Sequence, residues 1–336
     1  MNLRKSRLSF LLPSVLLALF AVGTAQAEVI KIATTAPDGT AWMKEMRAGA
    51  DAVKTRTEGR VEIKYYPGGV MGDSATVQRK IKIGQLQGGA FTGGEIANAN
   101  PDVQAYSLPF LFRTQAEVDA VRAKFDERIK TGFEKSGFVA LGLSGGGFAY
   151  IMSTREIKTR DQLKAAKVWV PQGDFIAEIA FKAAGVTPIS LPLADVYTSL
   201  QTGLIDTAAN TFAGAIAFQW HTKIKHIVDL PVSYVVGVMV VDKKAYDKVS
   251  AADQAVLKDE IGKAFARLDQ ISIEDNTKAV DALKKQGIAI YEPSAEEVAG
   301  WQKIGPEAAK QISGDKSPSP DIISAIDAEI AAVRKK

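Results

Sequence analysis

From Ser250 to Lys285 the chain runs 36 residues without a proline and with a single glycine, Gly262. Leu257, Ile261, Phe265 and Leu268 recur at three- and four-residue steps, and Val280 and Leu283 resume the pattern. That is the spacing of one apolar helix face. Ser250 with Asp253 three residues on resembles a capping box, and Gly287 supplies a stop. A single helix of this length would measure about 54 Å at 1.5 Å per residue. It is longer than one lobe is wide, so it predicts a spine lying across two. The alternative is two helices broken near Gln270–Asn276.

The rest of the chain predicts what the spine joins. Val29–Thr34 reads as a buried strand, and Gly39-Thr40 opens a helix whose apolar and small positions run from Trp42 to Val53. Arg60–Tyr66 alternates as a second strand and ends in the turn Pro67-Gly68-Gly69. Asp73–Gly84 is a short helix and Gly89–Thr92 a third strand. A second round follows, with strands at Val139–Leu143, Lys167–Val170, Thr187–Ile189 and Leu204–Thr207. Helices at Thr159–Lys164, Phe175–Ala184 and Ala194–Thr202 alternate with them. Two successive α/β units of this rhythm predict two lobes with a cleft between them.

The N-terminus has its own grammar. Arg4, Lys5 and Arg7 precede an apolar run from Leu8 to Val22, and Ala25-Gln26-Ala27 follows. This reads as a signal peptide over residues 1–27, cleaved after Ala27, on an exported periplasmic protein. Pro13 interrupts the apolar run, which falls short of the roughly 20 residues a bilayer span needs. Removing the 27 residues takes 42 Lys+Arg to 39 against 38 Asp+Glu, a net charge of +1. Near-neutral, mixed charge excludes a nucleic-acid partner. The absence of cysteine excludes disulfides, thiol nucleophiles and thiolate metal sites.

Reactive constellations are missing. His221 and His226 are the only histidines, five apart and without carboxylates at ligand spacing, so they read as partly exposed helix residues rather than metal ligands. Gly142-x-x-Gly145-Gly146-Gly147 leads into the strand-like Phe148–Met152, not into a helix that could cradle phosphate. It reads as a chain crossing where bulkier side chains would clash. No catalytic residue, cofactor or metal is expected, and the chain does not read as an enzyme.

Several segments together resemble the solute-binding proteins of TRAP (tripartite ATP-independent periplasmic) transporters, of the DctP type. They are Gly59-Arg60-Val61 with Tyr66-Pro67-Gly68-Gly69-Val70-Met71-Gly72, Leu108-Pro109-Phe110-Leu111-Phe112, and Ile157-Lys158-Thr159 through Leu163 to Val170-Pro171. Gly185-Val186-Thr187-Pro188 with Asp195 through Gly203 and Asp206 is the most specific of them. The resemblance implies an α/β, two-lobed periplasmic binding protein fold with a hinge and a long helix spanning both lobes. Lobe I would hold 28–149 plus about 237–270, and lobe II about 150–236 plus 271–336. It also implies a monomer that closes on a small molecule and delivers it to the membrane subunits of an ion-driven permease.

This sequence departs from the family where charge is expected. The arginine that the resemblance implies for a ligand carboxylate falls on Trp169, and a second, in the crossing strand, on Ala149. A guanidinium fork matches a carboxylate in geometry and charge, and an indole or a methyl group does not. The expected ligand is therefore neutral, aromatic or apolar. A small cation held by Trp169 and Asp38, or an acid held by backbone donors, are the lesser alternatives. Phe148, Phe175 and Phe212 would extend the aromatic wall, with core packing the alternative for each and an even one for Phe175. Asn210 and Gln172 would bind from the second lobe, and Thr35, Asp38, Trp42 and Thr92 from the first. The competing functions are a periplasmic sensor or scavenger on the same fold and, less favoured, an ATP-dependent uptake protein.

Overall fold

A computed structural model describes residues 27–335; the signal-peptide reading of residues 1–27 lies, but for Ala27, outside them. Its strands are β1 (Glu28–Thr34), β2 (Val61–Tyr66), β3 (Gly88–Thr92), β4 (Phe138–Ser153), β5 (Trp169–Pro171), β6 (Ile189–Leu191), β7 (Thr207–Asn210), β8 (His226–Val228), β9 (Ser233–Asp242) and β10 (Ala289–Tyr291). They form the order β10-β8-β4-β9-β3-β1-β2, with β7 also on β4, and β5-β6 as a separate pair.

The first lobe grows from β1, which pairs in parallel with β2 and β3. Sequence puts a helix on each crossover, as parallel pairing requires. Thr40 accepts a hydrogen bond from the Met43 amide to start Ala41–Arg56, and Asp73 accepts one from Thr76 to start Ser74–Lys82. Apolar side chains then leave the sheet on both faces. Ile30, Ile32 and Met239 pack under the helix Ala41–Arg56, while Phe91, Val238 and Val240 pack under Gln115–Gly132.

The glycine run is where the two lobes join. β4 is one strand of 16 residues. It pairs with antiparallel β9 as far as Ala149↔Ser233, then with β7 from Tyr150↔Asn210. Register shifts at Ala140/Gly142 and Gly145/Gly147 bend it. A Cβ on Gly142 would meet the Phe265 ring at 2.2 Å, and one on Gly145 the Tyr234 hydroxyl at 2.1 Å. The expected strand Val139–Leu143 is thus the first third of a longer one, because the glycines extend it rather than end it.

The helix Ala251–Lys285 is unbroken, so the two-helix alternative falls. Ser250 caps it by accepting from the Asp253 amide at 3.2 Å, and Gly287 (φ +81°) ends it. Leu257, Ile261, Phe265 and Leu268 enter the first lobe's core, and Ala279 and Leu283 the second's. One correction concerns the C-terminus. Residues 271–336 were expected in the second lobe, but Ile322, Ile326 and Ile330 of the helix Pro320–Val333 join the first lobe's core. Pro320 starts that helix at a position where its missing N–H costs nothing, and an isoleucine every four residues gives it one apolar stripe. Among the described residues no helix is long and apolar enough to cross a membrane.

Candidate functional site

A cavity of about 660 Å³ lies where the lobes face each other across β4 and the long helix. Strand ends aim the side chains into it. Ala149 is the last β4 residue paired with β9, Trp169 is the first of β5, and Asn210 closes β7 opposite Tyr150. All three line the cavity, as do Thr35, Trp42 and Thr92 from the first lobe.

Their chemistry differs from residue to residue. The Trp169 ring stands edge-on to Trp220 at 5.4 Å, and its Nε1–H donates to the Leu191 carbonyl at 2.9 Å. It is 3% exposed, so it offers the cavity an apolar wall and no free donor. Asn210 Oδ1 accepts from the Thr211 amide at 2.8 Å. Its Nδ2 has no partner among the described residues and remains a donor for a ligand. The Thr92 hydroxyl is already engaged with Glu95, at 3.2 Å.

Five of the residues singled out in the sequence do not line this cavity. Phe148 packs edge-on to Tyr234 at 5.2 Å, and Phe212 stacks on Tyr150 at 4.1 Å. Phe175 packs into a core cluster of the second lobe, and Gln172 is exposed beside a separate narrow cleft between the lobes. Asp38 points to solvent beside Arg47 at 2.8 Å, which holds its carboxyl below the usual range. The three phenylalanines therefore serve as packing, the reading that any lone aromatic admits. Both histidines are partly exposed, as expected, but only His221 is helical, in the short 3-10 helix Trp220–Thr222, whereas His226 opens β8.

Two groups of cavity residues went unrecognised in the sequence. The first is the face of the long helix that carries Ser272, Asp275 and Asn276. Asn276 ties the helix to both lobes' connections: its Nδ2 donates to Gly146 O at 2.9 Å and its Oδ1 accepts from the Ala213 amide at 3.0 Å. The second group bridges the lobes directly. Gln104, fully buried in the 3-10 helix Pro101–Ser107 behind the cavity wall, donates at 2.7 Å to Oδ1 of Asp174, which lines the cavity. Asp174 also caps the helix Phe175–Ala183 and lies against Gly94, where a Cβ would come within 2.3 Å of its Oδ2. Burial raises the pKa of Asp174, and it does the same to neighbouring Glu95, where the Asp174 charge adds to it.

Among the described residues no arginine lines the cavity. The buried guanidinium behind β4, Arg122, is spent on Asp269 at 2.6 Å and Asp126 at 2.9 Å. Lys278 is the one cationic side chain in the lining among the described residues, and it is 73% exposed with its ammonium 3.2 Å from Glu274.

The profile of the family described as "Bacterial extracellular solute-binding protein, family 7" matches residues 32–315. A solute-binding protein of Verminephrobacter eiseniae is 26% identical over 78% of this chain and 79% of its own. The C4-dicarboxylate-binding periplasmic protein DctP of Rhodobacter capsulatus is 22% identical over 86% of this chain and 87% of its own. A TRAP periplasmic solute-binding protein from Desulfovibrio salexigens, solved with bound orotic acid, superposes with a TM-score of 0.84. It is 20% identical, covers 91% of this chain and 99% of its own, and shares the fold.

Proposed function

The chain belongs to the bacterial extracellular solute-binding proteins of family 7, the binding components of TRAP transport, and from that premise we propose that its ligand is not an ordinary carboxylate. The ligand's body is neutral and aromatic or otherwise apolar. The chain captures it in the interlobe cavity, after export and cleavage behind Ala27, and delivers it to the membrane subunits of a TRAP permease. The observation that carries this is the uncompensated wall: Trp169 and Ala149 face the cavity and, among the described residues, no guanidinium does. Moving a carboxylate from water to such a site without a cationic partner costs several kcal/mol. The relatives named for a dicarboxylate and solved with orotic acid hold acids, so the departure is one of ligand class within a shared fold.

Capture works by closure about β4 and β9. A ligand that meets both walls binds the closed form better than the open one and shifts the population toward it. Asn210 Nδ2 and the Thr35 and Ser272 hydroxyls supply directional bonds; Trp42, Trp169 and Phe218 supply surface. Thermal-shift screening followed by calorimetry tests the reading, with succinate and orotate set against uncharged aromatic solutes of similar size. Stabilisation by the uncharged set alone is expected. Micromolar binding of succinate would defeat the proposal.

A further inference from the structure

Among the described residues three carboxyl groups line the cavity: Glu95, Asp174 and Asp275. Two of them are occupied. Glu95 Oε2 accepts from the Thr92 amide and hydroxyl at 2.9 and 3.2 Å. Asp174 Oδ1 accepts from Gln104 at 2.7 Å and from the Ala177 amide at 3.0 Å. Asp275 differs, having neither a hydrogen bond nor an ion pair among the described residues. It sits midway along the stripe Leu268, Ile271, Ser272, Asp275, Ala279 of the long helix, all of which line the cavity. Steps of three and four residues keep that stripe on one helix face. Lys278, one turn on, could have neutralised it, but its ammonium is turned to Glu274.

A carboxylate facing a largely apolar cavity loses hydration as the lobes close on a ligand. It then needs an N–H donor, best a charged one, to offset that loss. We propose that Asp275 determines specificity by receiving a protonated amine on the ligand, whose remaining body is the aromatic or apolar one argued above. The inference rests on that reading of the cavity and adds to it the single charge the ligand carries. Trp169 and Ala149 exclude acids, and Asp275 selects amines.

The test uses the full mature chain and matched triads of amine, alcohol and carboxylate on phenyl, cyclohexyl and hexyl bodies. Two-phenylethylamine, 2-phenylethanol and 3-phenylpropanoate make up the first triad. In calorimetry at least one amine should bind about tenfold tighter than its alcohol. Asp275→Asn should bring that ratio close to one, and Asp281→Asn, which removes an exposed carboxylate of the same helix outside the cavity lining, should preserve it. The inference is overturned if no amine outbinds its alcohol, if Asp275→Asn leaves the preference intact, or if Asp281→Asn removes it. Alcohols that bind as well as amines would sink the amine inference alone. Carboxylates that outbind both would sink the acid-free reading beneath it.

Discussion

Gly142→Ala probes the seat of the long helix on the crossing strand. A Cβ at this position would lie 2.2 Å from Cδ2, 2.3 Å from Cγ and 2.8 Å from Cε2 of Phe265. The Gly142 backbone is not left-handed, so the strain is steric alone. Phe265 is 2% exposed and packed edge-on to Trp42 at 6.3 Å, which leaves its ring little room to swing away. Overpacking of this kind costs about 1–3 kcal/mol. Phe265→Leu alone opens a void and costs about 1–2 kcal/mol. In the double variant the added methyl occupies part of that void, so the loss should fall short of the sum by about 1 kcal/mol or more. Urea denaturation followed by tryptophan fluorescence measures each variant against wild type. A Gly142→Ala protein within about 0.5 kcal/mol of wild type, or two costs that simply add, would refute the docking argument.

The contact between the lobes yields two more predictions. Gly94→Ala drives a methyl into Asp174 Oδ2 and parts the 2.7 Å bond to Gln104; losing a buried bond of about 1–3 kcal/mol lowers the closed-to-open ratio about 5- to 150-fold. The chain has no cysteine, so dyes on Glu58→Cys and Asp161→Cys, at side chains 83% and 84% exposed, report lobe separation by single-molecule energy transfer; an unchanged ratio would count against the contact. Asp174→Asn addresses pH. Burial raises this carboxyl from its ordinary 3.8, so the folded chain holds a proton that the unfolded chain releases. The associated stability is full below that ordinary value and is lost as pH rises through the folded one. Asparagine caps a helix as well as aspartate does, so the melting temperature of Asp174→Asn relative to wild type should rise as pH is raised above the ordinary carboxyl value of 3.8. A difference that is flat with pH would contradict the assignment.

Much of the fold was legible because its signals are local. Thr40, Asp73 and Ser250 announce their helices by side chains that accept from an amide three residues on. The lobe joint was legible as a run of glycines with no helix to follow. The C-terminal helix was misplaced because its apolar stripe says that it packs, not on which lobe. The site was only half legible. Trp169, Ala149 and Asn210 sit at strand ends, where family spacing points to the cavity. Phe148, Phe175 and Phe212 sit one turn or one residue away, and an aromatic reads alike in wall and core. The gap in apolar spacing between Leu268 and Val280, read as a candidate break, is where the unbroken helix turns polar Ser272, Asp275 and Asn276 to the cavity and to the chain around it. Polar residues interrupting a buried stripe were the signal available for them.

How the chain closes follows from how little it spends on closing by itself. Gln104–Asp174 is one bond across the cleft, and burial of the Asp174 and Glu95 carboxyls works against it at neutral pH. The cavity walls are otherwise apolar apart from the Asp275 carboxylate, the outward-turned Lys278 and a few hydroxyl, amide and indole groups. Taking the lobes from about 1:99 to 99:1 closed requires about 5.5 kcal/mol of differential affinity. At about 25 cal/mol per Å² this corresponds to about 220 Å² of ligand apolar surface covered only in the closed form. A cavity of about 660 Å³ accommodates a ring with a short chain, which carries surface of that order. An acid ligand has to use part of its binding free energy to offset a bare carboxylate. An apolar body with one amine has nothing to offset except at Asp275, where the loss of hydration and the gain of an ion pair act on the same atoms. Closure is thus driven by the body and selection by the charge, and substitutions at Phe218 and at Asp275 should separate the two.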